Sequence, residues 1–265
     1  MKHNFKVISL MILLFLVAQI VGLVVVDYYN NSDLPLGIEK PEFDQQTSFI
    51  PLFFFMLVAT FLILMLFKFK LFWLWKFWFF LSVFITLIIS LNVFFGIIFA
   101  LIFAFILTLW RIFIPNPIVH NFSELFIYGA MAAIFIPVLN LLSIFVLLIL
   151  ISIYDYIAVI KTKHMIKMAK TQSKAKLFAG LAVPYGKNLA ILGGGDIGFP
   201  LLFSAVVMMY FGLGLFDFRT YIVPLFSGLM LLVLFVYGEK KKYYPAMPYI
   251  TLGCVLGLGV LLFFV

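Results

Sequence analysis

The sequence predicts an all-α polytopic membrane protein with nine transmembrane helices, and three observations predict it. Of its 265 residues, 66% are hydrophobic and 11% charged, against about half and about a quarter in an ordinary soluble domain. The apolar residues fall in runs long enough to cross a bilayer. The basic residues collect at alternate ends of those runs. This composition excludes a soluble enzyme, a disordered chain and a nucleic-acid module. The net charge of +8 reads as basic cytoplasmic loops, with no nucleic-acid partner expected. A single cysteine, Cys254, excludes an internal disulfide framework. His3, His120 and His164 are scattered without ligand spacing, so no metal or other cofactor is expected.

The first run, about Phe5 to Val26, follows Lys2 and Lys6. It is longer than a signal-peptide core and Val-Val-Val-Asp-Tyr-Tyr offers no small-residue cleavage site, so it is expected to persist as helix one. An acidic polar stretch from Asp27 to Ser48 follows. Helix two is Phe49 to Phe67, closed by Lys68, Lys70 and Lys76. From Phe77 to Ile114 the only charge is Arg111. That length suits two crossings, divided near Asn92 to Gly96. Pro115-Asn116-Pro117 then breaks the chain. Leu125 to Ile160 makes helices five and six, split around Pro137-Val138-Leu139-Asn140, the first of them short. The basic loop Lys161 to Lys187 leads to three more runs, Asn188 to Leu215, Tyr221 to Tyr237 and Pro245 to Val265.

The chain therefore reads as one transmembrane domain, 1–265, without internal repeat. Six helices cover about 5–160, the loop 161–187 follows, and three helices cover about 188–265. With the N-terminus in the cytoplasm, sixteen of the 18 basic residues fall on cytoplasmic ends and loops; only Lys40 and Arg219 fall outside. The C-terminus is then external. The expected location is the cell membrane, with membrane lipid as a partner.

The acids sort more sharply. Asp27, Asp33, Glu39, Glu42, Asp44 and Asp217 are external, and Glu239 joins the Lys240 loop. Glu124 is expected at a helix start, where the dipole favours an anion. Asp155 and Asp196 remain, each interrupting an apolar run. An acid at a helix centre costs about 2.5–3.5 kcal/mol on insertion scales and usually serves function. Counting from Lys161 and Lys187 at about 1.5 Å per residue sets them about 9 Å and about 13 Å inside the cytoplasmic boundary. Facing carboxyls at matched depth can share one proton: one takes a proton from water while the other donates to a carbonyl oxygen. The alternatives are two separate structural acids, or a proton relay in a transporter. Asp196 follows Gly193-Gly194-Gly195, which weakens a helix and admits close backbone approach. Pro200 adds a kink. Pro245-Ala246-Met247-Pro248 opens the last helix near the same level.

Three motifs, Tyr154-Asp155, Gly193-Gly194-Gly195-Asp196 and Pro245-Ala246-Met247, thus lie in order on helices six, seven and nine. The pattern resembles the presenilin and signal peptide peptidase superfamily of intramembrane aspartyl proteases, the GxGD enzymes, over roughly Leu141 to Val265. Met247 stands where that family usually has Leu, a volume-conserving change. The size is similar to the archaeal members. The resemblance implies a presenilin-like fold and an aspartic endopeptidase that cuts transmembrane polypeptides, including signal-peptide remnants. It implies Asp155 and Asp196 as the catalytic pair. Tyr154, Gly193, Gly195, Pro245, Ala246 and Met247 would shape the site around them.

A transmembrane substrate must be unwound before water can attack it, and its freed amides need partners. The segment Leu177 to Lys187, with Gly180, Pro184 and Gly186, is a poor helix. It is expected either to be an ordinary loop or to extend and bind substrate by strand addition through Leu181, Ala182 and Val183, as the resemblance implies. The Lys-rich stretch Lys161 to Lys176 suits an anionic membrane surface. A cytoplasmic active-site loop, as in presenilins, implies substrates with an external N-terminus. No docking domain is evident and no obligatory protein partner is expected. The rival reading is a proton-coupled transporter with Asp155 and Asp196 as its relay; such proteins usually repeat the broken helix, which occurs once here. A structural or chaperone-like role would leave two costly acids unused.

Overall fold

The computed structural model describes residues 4–162, 178–186, 188–239 and 244–265. Among them are nine α-helices and a β-hairpin. The first six helices are α1 (Phe5–Asn30), α2 (Phe49–Lys68), α3 (Phe72–Phe95), α4 (Ile97–Phe113), α5 (Pro117–Phe135) and α6 (Leu141–Tyr156). The hairpin joins β1 (Gly180–Tyr185) to β2 (Asn188–Gly193). Then come α7 (Gly195–Tyr210), α8 (Ile222–Tyr237) and α9 (Met247–Leu261). Six helical stretches are long and apolar enough to cross a membrane; α4, α7 and α9 are apolar but shorter.

Local chemistry sets the boundaries. Gly96 turns α3 into α4 at φ 77°, a left-handed conformation that suits glycine. Pro117 takes the first turn of α5, where its missing N–H costs nothing, and Asn116 caps the helix by accepting from Ile118. Helix α5 therefore starts eight residues before the expected Leu125 and is not short; the Pro-Asn-Pro break is its start signal. Asn140 and Ser143 form a reciprocal capping box that starts α6. The largest departure lies at Asn188, where an expected helix begins as a strand. Asn188–Gly193 pairs with Gly180–Tyr185, and α7 starts only at Gly195. The glycine run is thus a strand-to-helix junction.

Helix α7 is the central post. It buries 11 of its 16 residues, from Ile197 to Met208, against α1, α5, α6, α8 and α9. An all-round apolar helix suits a position inside the bundle or against lipid, and here the neighbouring helices decide. Helix α2 is the opposite case: it buries no residue, touches α6 and α3, and turns Phe54, Phe55, Phe61 and Leu62 outward. A phenylalanine-rich surface of this kind suits lipid. Helices α8 and α9 pack closest. A methyl group added at Gly253 would lie 2.6 Å from the Phe226 carbonyl oxygen and 2.7 Å from Ser227 Cα. On the opposite side from the hairpin, Arg219 bonds Asp217 through both carboxylate oxygens and donates to the Phe264 carbonyl at 3.1 Å. The Arg219 guanidinium holds the Asp217 carboxyl below the usual carboxylate range.

Candidate active site

Asp155 stands on the last turn of α6, just before a π-helical turn, Ile157–Lys161. It is 8% exposed, and its Oδ2 accepts the backbone N–H of Met247 at 3.2 Å. The Ala246 amide also turns toward it. The first amides of a helix lack partners within it; here the first amide of α9 finds one in Asp155. One turn away, Ser152 Oγ and Thr251 Oγ1 share a hydrogen bond of 2.7 Å. Two polar contacts thus fix the register of α6 against α9. Pro245 and Met247 are buried beside them, and Ala246 is half-buried. Tyr154 packs edge-on against Phe53 of α2, its ring centre 6.4 Å away.

Asp196 lies in the first turn of α7, half-buried, beside the Gly193 amide, on a helix that packs against α6 and α9. A methyl group at Gly193 would stand 3.2 Å from its Oδ2. At Gly194 a methyl group would meet Tyr128 Oη at 3.0 Å and Ala179 Cβ at 3.3 Å. The run passes through a gap that side chains would close. Among the described residues no group of three His, Cys, Asp or Glu gathers to hold a metal.

The hairpin ends at this site, and its edges differ. Gly194 N–H donates to the Ala179 carbonyl at 3.1 Å, two residues beyond the pairing of Leu181 with Leu192. Residues of one strand alternate in the direction of their N–H and C=O. On β1, Leu181, Val183 and Tyr185 therefore face β2, while Gly180, Ala182 and Pro184 face α5. On β2, the N–H and C=O groups of Leu189, Ile191 and Gly193 point away from β1, and the Leu189 and Ile191 side chains are each 39% exposed. The expected docking residues lie on the other strand. Leu181, Ala182 and Val183 are 0%, 3% and 3% exposed, and both edges of their strand are occupied. The segment extends as expected, but its side chains are buried and its backbone is paired on both sides. Leu177, Lys187, most of the basic loop and Lys240–Lys242 lie outside the described residues.

Glu124 also departs from expectation. It lies two turns into α5, 0% exposed, paired with Arg111 at the end of α4. Its Oε2 accepts from Tyr128 Oη and, at 3.0 Å, from the Gly180 amide. Arg111, expected on a cytoplasmic helix end, is 4% exposed and also donates to the Phe178 carbonyl at 3.0 Å. A helix beginning at Pro117 aligns His120, Asn121, Glu124 and Tyr128 at one-turn spacing. Assuming a start at Leu125 hides that polar stripe.

A family model described as signal-peptide peptidase, presenilin aspartyl protease matches residues 12–192. No curated protein sequence matches. Two solved structures of a presenilin family intramembrane aspartate protease share the fold. The form in the C222 space group is 21% identical with a TM-score of 0.72, covering 97% of this chain and 99% of that one. The P2 form is 21% identical with a TM-score of 0.69, covering 96% and 97%. The family match spans helices one to six and the hairpin, and the geometry beyond it joins the motifs of α6, α7 and α9; the chain belongs to the signal-peptide peptidase and presenilin family of intramembrane aspartyl proteases.

Proposed function

We propose that Asp155 and Asp196 are the catalytic pair of this protease and that they hydrolyse peptide bonds within transmembrane polypeptides. The observation that carries this reading is their convergence. Two acids 41 positions apart stand on helices α6 and α7, which pack against each other and against α9, with Asp155 bonded to the Met247 amide and Asp196 beside Gly193. One proton is held between them. The ionised carboxylate takes a proton from water as the water oxygen attacks the scissile carbonyl, and the protonated one donates to the carbonyl oxygen. Collapse of the resulting gem-diol breaks the C–N bond, and the departing nitrogen takes a proton back. Tyr154, Gly193, Gly195, Pro245, Ala246 and Met247 shape this site and take no part in proton transfer. The family match favours this chemistry over the transporter alternative.

The substrate adds as a strand to the outer edge of β2, at Leu189 and Ile191. That edge runs straight to Asp196, so pairing there delivers an unwound peptide to the dyad. All nine helices cross the cell membrane as one domain of residues 1–265, α4, α7 and α9 as short spans, with the N-terminus and the hairpin end cytoplasmic. The chain acts without an obligatory protein partner, on substrates with an external N-terminus.

The test is cleavage of a transmembrane substrate by purified protein in detergent and in vesicles. Asp155→Asn and Asp196→Asn each abolish cleavage; a near-normal rate in either refutes the pair. Two substrates of opposite polarity test direction, and faster cutting of the one with a cytoplasmic N-terminus refutes the orientation.

A further inference from the structure

The outer edge of β1 is closed by side chains standing where a third strand would lie. Asn121 bonds both sides of one residue: its Nδ2 donates to the Ala182 carbonyl at 2.7 Å, and its Oδ1 accepts the Ala182 N–H at 2.8 Å. One position earlier on the same edge, Gly180 gives its N–H to Glu124 Oε2 at 3.0 Å and accepts from His120 Nε2 at 2.7 Å. The next edge position is Pro184, which has no N–H to offer. Each outward N–H and C=O of Gly180 and Ala182 thus has a partner. Gly180 sits at φ 137°, and a methyl group on it would lie 2.2 Å from the Leu192 carbonyl oxygen. The strand can run that close to β2 only without a side chain.

From this geometry we infer that Asn121, with His120 and Glu124, is a positioning residue for proteolysis. These side chains hold β1 as an already ordered strand, so that β2 offers the single open edge before substrate arrives. The inference rests on the strand-addition reading above. A two-stranded ribbon alone is marginal in water. Clamped to α5, the hairpin is ordered before binding, and the substrate supplies only its own ordering entropy. The clamp also excludes pairing on β1, which would hold the substrate one strand away from Asp196. Tyr128 extends the clamp to the dyad, since it bonds Glu124 and lies against Gly194 and Gly198 at the start of α7. The ion pair with Arg111 fixes the Glu124 carboxylate.

The experiment compares wild type with Asn121→Ala and Asn121→Ser in detergent. It reads KM and kcat on a transmembrane substrate, and amide hydrogen exchange of the 178–186 peptide in the resting enzyme. With two hydrogen bonds removed, Asn121→Ala exchanges this peptide about tenfold faster and raises KM about tenfold, with kcat within about twofold. Asn121→Ser, which restores one bond, falls between. A folding defect would instead lower the active fraction at unchanged KM; that outcome, or unchanged exchange, overturns the inference. A substrate N-methylated at alternate residues around the cleavage site separates the two ideas. If wild type cuts it as fast as the unmodified one, strand addition itself fails. If methylation blocks cleavage while Asn121→Ala keeps wild-type KM and exchange, only the positioning role fails.

Discussion

Replacing Gly253 by alanine adds one methyl group where α8 and α9 touch. Its two nearest atoms, the Phe226 carbonyl oxygen at 2.6 Å and Ser227 Cα at 2.7 Å, belong to backbone, so no side-chain rotation can clear them. Ordinary carbon contacts lie at about 3.5–4.0 Å, so the helices must part by about 1 Å. Helix α9 carries Met247 and Thr251, and the shift acts on the 3.2 Å bond to Asp155 and the 2.7 Å bond to Ser152. Overpacking of this kind costs about 1–3 kcal/mol. A displacement of about 1 Å at a catalytic group can cost about a hundredfold in rate. The expected result is a lower melting temperature and at least about a tenfold fall in kcat on a transmembrane substrate. Cys254, 0% exposed, adds an independent readout: maleimide labels it faster once the pair loosens. Gly259→Ala is the control, because nothing lies within 4 Å of its added carbon. A Gly253→Ala protein with wild-type rate and wild-type Cys254 labelling would refute the argument that α8 sets the position of the Asp155 amide donor.

The polar link between α6 and α9 is measurable by itself. A double-mutant cycle of Ser152→Ala with Thr251→Val returns a coupling of about 1 kcal/mol in unfolding, and zero coupling removes the link. Glu124→Ala leaves the buried Arg111 charge unpaired and destabilises by about 3–5 kcal/mol; Arg111→Met with Glu124→Met is more stable than Glu124→Ala but stays below wild type, because the Gly180 amide, the Tyr128 hydroxyl and the Phe178 carbonyl still lose their partners. A double variant no more stable than Glu124→Ala would show that pairing is not what the site requires. The Asp217–Arg219 pair is part-exposed, so its contribution is small. Because the folded carboxyl titrates below its unfolded value, that contribution is full above the ordinary carboxylate range and disappears as pH falls through the folded value. The gap in melting temperature between wild type and Asp217→Asn is thus constant above the ordinary carboxylate range and closes as pH falls through the lower folded value; a gap that widens on acidification contradicts the sign.

Much of this was legible because a bilayer admits few solutions. Asp155, Asp196 and the Pro245-Ala246-Met247 turn stand out as interruptions of apolar runs; in the structure the Met247 amide bonds Asp155, and α7, which carries Asp196, packs against α6 and α9. The helix breaks at Gly96 and Asn140 carry their own chemistry, a left-handed turn and a capping box. The strand at Asn188–Gly193 was hidden because Leu189, Ala190, Ile191 and Leu192 form an apolar run that suits a helix equally well; length alone cannot arbitrate four residues. Only its partner at Gly180–Tyr185 decides between them, and pairing is a non-local fact. Glu124 departs from its expected place for a local reason. Placing the helix start at Leu125 instead of Pro117 turned a buried, paired carboxylate into an apparent end-cap.

The five-residue π turn Ile157–Lys161 makes the chain's length just after Asp155 a constraint of its own. A π turn holds about one residue more than an α turn. Deleting one residue here would let the spiral relax to ordinary pitch with its hydrogen bonding intact, yet rotate the exit of the polypeptide by about 100°. Counting, more than residue identity, is what this stretch enforces: substitutions there should be tolerated far better than a single-codon deletion.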